Sequence, residues 1–137
     1  MKRLRSCLLF LAVSVPMFAA NSALNLLNAG RADEAIKVLN AQIAANPQNA
    51  EAYNLLCRAY YFQEAFDPAI ANCERAVELD PKSSVYHMWL GRTYGDKADK
   101  AGPFAAFGLA KKAVAHFERS VQRDPKNVAA RTGLAGF

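Results

Sequence analysis

Cys57, Cys73 and His87 are the residues of this chain best equipped for chemistry, and two kinds of chemistry are open to them. The two cysteines fall on the two helices of one hairpin, each at a position facing the partner helix. In an oxidising compartment such a pair can form a disulfide, provided the Cα atoms come within about 7 Å. The same positions also suit small buried hydrophobes, the usual fate of free cysteine, and both readings stay open. With His87 the pair would supply three ligands for a tetrahedral metal. His87 occupies an interhelical packing position, however, where a histidine satisfied in the core is the expected outcome. His116, beside Phe117, is expected on the outer, solvated side of its helix. Glu74 with Glu78 reads as a solvated helix face rather than an acid–base pair. The chain has no glycine-rich phosphate loop, no His-Glu-x-x-His and no nucleophile elbow. No catalytic residue, cofactor or metal is expected, and the chain reads as a non-enzyme.

Positioning these residues falls to a repeat. Pro47 and Pro81 stand 34 residues apart, and behind Pro81 the chain runs Tyr53-x2-Leu56-Cys57-x2-Tyr60, then Ala69-x3-Cys73 and Ala76. Cys73-Glu74-Arg75-Ala76-Val77 and Phe117-Glu118-Arg119-Ser120-Val121 align without a gap, which sets the register of the next unit. A period of this length, with small and large apolar residues in fixed order, marks a helical-hairpin repeat. Stacked repeats of this kind are usually binding scaffolds. Hairpins are expected at about 23–47, 50–81 and 84–125, with a partial one over 127–137. In the first, Gly30 can take the left-handed conformation that closes a helix, and Asp33 and Glu34 favour the next helix start. In the second, Asp67 is expected to cap and Pro68 to occupy the first turn. In the third, Ser83 or Ser84 is expected to cap.

Charge and hydropathy patterning point to export. Lys2, Arg3 and Arg5 precede a nearly unbroken apolar run over Cys7–Val15, followed by Pro16 and the small residues Ala19, Ala20, Ser22 and Ala23. That is the order of a secretory signal peptide, expected over residues 1–22, with an uncleaved membrane anchor or a buried first helix as the competing readings. The apolar run is short for a bilayer span, which needs about 20 residues, so no transmembrane span is expected in the mature chain. Without those three cations, 14 basic residues face 12 acids. Such a near balance is not a nucleic-acid footprint, which would need a clustered basic face, and no nucleic-acid partner is expected. A periplasmic or secreted location follows.

These residues resemble the tetratricopeptide repeat family over nearly all of the chain after the leader. Leu56, Tyr60, Leu90 and Tyr94 stand at its bulky positions, Cys57, Gly91, Ala69, Ala76, Ala113 and Ser120 at its small ones. Asp80-Pro81 and Asp124-Pro125 match its acidic-Pro link; Tyr53 and His87 replace its usual tryptophan, and Cys73 its usual large residue. The resemblance implies an all-α, right-handed superhelical stack of antiparallel helix hairpins, about three units plus the start of a fourth. It also implies an inner groove that binds a peptide or protein partner. Asn54, Arg58, Tyr61, Met88 and Arg92, with Asp96 beside them, are the implied groove residues. Arg58 and Arg92 suit an acidic or carboxylate-bearing partner; pairing with neighbouring acids is the competing role. The lysine and asparagine clamp of some family members is not reproduced, since Leu55, Val85 and Trp89 stand in its place. The implied function is a scaffold or adaptor holding a protein partner in the cell envelope. The alternative is a structural or assembly component that packs with further repeats or its own copies by self-association.

Tyr94 to Ala113 spans 19 residues where Tyr60 to Ala69 spans 9, so an insert of about 95–112 enlarges the third hairpin. Gly102-Pro103 supplies its turn, and the simplest outcome lengthens both helices by about five residues, roughly 7 Å. Phe104 and Phe107 then lie near the tip. They form either a docking or membrane-surface patch or a pair folded back over the hairpin or a later repeat.

Overall fold

The computed structural model describes residues 18–137, with side chains from Ser22 onward. The expected leader therefore lies outside the described residues up to position 17, and Phe18 already belongs to the first helix. Seven helices and no strand occur among the described residues: α1 (Phe18–Asn28), α2 (Ala32–Ala45), α3 (Ala50–Phe62), α4 (Phe66–Leu79), α5 (Ser84–Lys100), α6 (Pro103–Arg123) and α7 (Val128–Ala135). Each helix packs on the next along the chain, and α3 also meets α1 and α5, while α5 also meets α7. The chain is a stack of helix hairpins.

Local chemistry repeats with the hairpins. Asn49, Ser83 and Asn127 cap α3, α5 and α7 by accepting from the backbone N–H three residues on, which satisfies one of the orphan donors at each helix start. Asn46, Asp80 and Asp124 turn the chain between hairpins, each side chain accepting from the backbone N–H two residues later. This is the Asx turn that short polar side chains offer. The second hairpin departs from expectation, because α4 starts at Phe66 with Ala65 as a cap residue that makes no side-chain bond. Asp67 and Pro68 lie inside the first turn, where the proline's missing N–H still costs nothing. Asp67 instead ion-pairs with Lys97 of α5.

Gly30 and Glu64 occupy the same turn in successive hairpins, with φ of 74° and 57°. A left-handed conformation is free for glycine and costs a residue with a Cβ about 1–2 kcal/mol. Glu64→Gly therefore raises stability by about 1 kcal/mol, measured by urea unfolding. An unchanged or lower midpoint would assign the turn's stability to the Glu64–Lys100 ion pair (2.7 Å) instead.

Two apolar clusters fill the stack, one built on α1, α2 and α3, the other on α3 to α7. Within the second, successive hairpins solve the same close approach differently. Cys57 meets Cys73 in one; in the next, Gly91 meets Phe117. A Cβ on Gly91 would lie 3.1 Å from both the Phe117 ring and the Ala113 carbonyl oxygen. Gly91→Ala thus costs about 1 kcal/mol through overpacking, read as a fall in melting temperature; an unchanged temperature would show that α6 yields freely. Ser84 and Ser120 make a second repacked pair. The Ser120 hydroxyl donates to the Ser84 carbonyl (2.7 Å) and the Ser84 hydroxyl to that of Ser120 (2.9 Å).

The insert lengthens both helices of the third hairpin: α5 has 17 residues and α6 has 21, against 13 and 14 for α3 and α4. The added turn of α5 leans across the second hairpin. Lys100 pairs with Glu64 and lies 5.2 Å from the Phe66 ring, and Asp96 accepts from the Tyr61 hydroxyl. Phe104 is 100% exposed and Phe107 77%. Folding back over the hairpin is therefore corrected: the helix simply continues to Pro103, so both rings stand clear of the core.

Candidate partner groove

The groove is assembled from the first helices of the second and third hairpins. Trp89, 9% exposed, is its floor. The Arg58 guanidinium lies 4.9 Å from the indole centroid and that of Arg92 5.5 Å. Stacking successive hairpins thus brings onto one ring two cations that are 34 residues apart in sequence. Tyr61 meets the same indole edge-to-face at 5.6 Å, with Arg92 5.5 Å from the phenol ring. Arg92 Nε donates to the Tyr61 oxygen at 3.0 Å, and that hydroxyl donates to Asp96. Burial, together with the Asp96 carboxylate, pushes the Tyr61 phenol above its ordinary range.

Neither Arg58 nor Arg92 forms an ion pair among the described residues. Arg58 is half-buried and its Nε has no hydrogen-bond partner. Desolvation pulls its pKa below the usual guanidinium value, with Glu51 opposing. It stays a cation, since no protein environment neutralises arginine. A half-buried guanidinium outside any ion pair is the kind of cation that a carboxylate pairs with best.

A cavity of about 470 Å³ continues this surface between α5, α6 and α7, lined by Met88, Arg92, Asp96, Asp99, Phe117 and Thr132 among others. A smaller one of about 300 Å³ opens beside Tyr61, Phe66 and Lys100, with Asp96 and Asp99 common to both. The groove is therefore cationic at its Trp89 floor and acidic at the α5 end.

Of the expected groove residues, the structure gathers Arg58, Tyr61, Met88 and Arg92. Asn54 is corrected: at 1% exposed it presents nothing to a partner, and its amide nitrogen is unbonded. α3 packs against α1, α2, α4 and α5, which leaves that position no outlet to solvent. Trp89 is the residue that sequence reasoning missed as a functional one. Its signal was the i, i+3 spacing from Arg92, which places a cation over an indole on one helix face.

Cys57 and Cys73 are joined as a disulfide, with Cα atoms 5.1 Å apart. A thiolate–histidine metal set is thereby excluded for these two, and no group of three metal-ligating side chains occurs among the described residues. His87 turns the other way. Its Nε2 bonds to the Pro81 carbonyl (2.9 Å) and its Nδ1 lies 3.1 Å from Nδ1 of His116. His116 is thus half-buried rather than solvated, because its ring stacks with those of His87 and Tyr94, at 5.4 and 6.0 Å. No helix among the described residues is long and apolar enough to cross a membrane.

Known proteins sharpen the picture of the fold. Residues 26–93, about half of the chain, match the family model described as tetratricopeptide repeat. Cellulose synthase operon protein C of Escherichia coli (strain K12) is 36% identical over 97 residues, covering 63% of this chain and 8% of its own. The chain spans less than a tenth of the length of the curated relatives it matches. Among solved structures, a thermophilic tetratricopeptide protein of Thermus thermophilus superposes with a TM-score of 0.78 at 20% identity, over 85% of this chain and 61% of that one. The second such domain of human RPAP3, in complex with the HSP70 peptide SGPTIEEVD, gives 0.72 at 22% identity, over 86% and 90%. Repeat match and superposition agree on the architecture: this chain is a right-handed superhelical stack of tetratricopeptide hairpins.

Proposed function

We propose that the chain is a protein-binding scaffold of the cell envelope whose groove holds an acidic peptide segment of a partner. The carrying observation is the pair of guanidiniums, Arg58 and Arg92, held over one indole, neither in an ion pair among the described residues. The stack supplies rigidity, so the cations are positioned before a ligand arrives and little ordering cost remains. Asp96 and Asp99 at the α5 end set direction, since a segment that is acidic along its whole length is repelled there. The preferred ligand thus carries its carboxylates at one end. The RPAP3 domain with its SGPTIEEVD peptide offers a parallel, three carboxylate side chains lying near one terminus. An envelope location is supported by the leader and by the Cys57–Cys73 disulfide, which persists where thiols are oxidised.

The lone tryptophan, Trp89, is a built-in reporter at the site. Titration with a peptide ending in glutamate and aspartate is expected to change its emission, and Arg58→Gln with Arg92→Gln to weaken binding about tenfold or more. Equal binding of the glutamine/asparagine version of the peptide would sink the acidic-ligand reading. A second reading, assembly by packing against further repeats or copies, is favoured by the exposed Val128 side chain of α7. Light scattering on the purified chain separates the two: a monomer favours the binding module.

A further inference from the structure

The solvent face of α6 is chemically unlike the rest of the stack. Phe104, Phe107 and Lys111 form one row at intervals of three and four, and Lys112, Arg119 and Arg123 an adjoining row at intervals of seven and four; together they cover the outer half of the helix, and all six are exposed. Phe104 to Arg123 covers about 28 Å at the rise of an α-helix. Only Glu118 opposes the four cations there, and none of the four forms an ion pair among the described residues. Lys112 merely overlies the Tyr94 ring, 5.4 Å from its centroid. The two phenylalanines stand at the protruding end, beside the Gly102–Pro103 turn, with no concave wall around them.

We propose that this face lies on an anionic bilayer surface, with Phe104 and Phe107 in the headgroup–acyl boundary and the four basic side chains against the lipid charge. Aromatic rings at one end of a basic helix face are the composition of interfacial helices. Charge spread along about 28 Å matches the diffuse field of a lipid surface rather than the point charges of a protein pocket. Two unsheltered rings fit a fluid boundary, whereas a protein hot spot needs a pocket. The groove residues take no part, so the two proposals stand or fall separately.

The test uses the full chain carrying Phe104→Trp, because a probe on α6 reports locally whatever residues 1–17 do. With vesicles of phosphatidylcholine containing phosphatidylglycerol, the added tryptophan is expected to shift to the blue and to be quenched by brominated acyl chains. Pure phosphatidylcholine vesicles should leave it unchanged. Adding Lys111→Ala and Arg119→Ala is expected to weaken the response about thirtyfold, each charge near an anionic surface being worth about fivefold. No quenching on the anionic vesicles, or equal quenching on neutral ones, overturns the proposal. A response to soluble polyglutamate without one to vesicles would assign the face to an acidic protein and overturn it equally. All the substituted positions are exposed, and circular dichroism confirms that each variant keeps its helices.

Discussion

Cys57→Ala combined with Cys73→Ala is expected to lower the unfolding free energy by about 3 kcal/mol, the entropic worth of closing a loop of this size. The bond joins residues 16 apart and staples α3 to α4 at their closest approach. Both side chains are fully buried, so losing the sulfurs also leaves a small void, which adds about 1 kcal/mol. Together these correspond to a fall in melting temperature of about 10–15 °C for a domain of this length. Reductant should shift the parent protein in the same direction and leave the double variant unmoved. Thiol labelling after unfolding should find two thiols fewer before reduction than after it. A parent protein with every thiol free, or one whose melting temperature ignores reductant, would return both cysteines to the role of small buried hydrophobes. The neighbouring hairpin shows why the bond is not needed everywhere. There Gly91 and Phe117 occupy the corresponding places, and the aromatic ring fills the gap that the disulfide spans.

The repeat was legible because its signals are local and periodic. Pro47 and Pro81 end hairpins where expected, Ser83 caps, and Gly30 takes the left-handed turn. Each of these depends on a few neighbouring residues and on 3.6-residue periodicity, which the sequence carries openly. What stayed hidden depends on contacts across the stack. Glu64 in a glycine's conformation is invisible, because the second hairpin keeps the turn of the first without its glycine. Asp67 resembles a cap until Lys97 claims it from α5. Arg58 and Arg92 could be placed on one surface by their spacing, but not over a common ring. Asn54 stands one turn before Arg58 on the same helix and is nevertheless buried. His116 looked solvated because its own helix offers it no partner; His87 and Tyr94 reach it from α5.

That histidine pair makes stability pH-dependent, and the sign follows from burial. Desolvation holds the His116 imidazole down at about 4, helped by His87, Arg119 and Lys112, all of which oppose a second positive charge. His87 is depressed too, chiefly by desolvation; Arg119 and Arg123 add to this, while the Pro81 carbonyl and Asp80 resist it. In the unfolded chain both rings take up protons near 6.5. Between that value and about 4 the unfolded state therefore binds more protons, so stability is full above pH 7 and is lost as pH falls through this window. The loss between pH 7 and 4.5 is expected to be about 2 kcal/mol, a figure discounted for the partial exposure of the rings. The two sites share one close nitrogen pair, 3.1 Å apart, and so titrate as a unit rather than one by one. His116→Gln keeps a polar side chain of similar reach but cannot charge, so its unfolding free energy should fall by less than half as much over the same range. Carboxylates titrate alike in both proteins, which leaves the difference to the imidazoles. Parallel stability curves for parent and variant would mean that the rings accept protons in place, and that Tyr94 and His87 hold a charged His116 without strain.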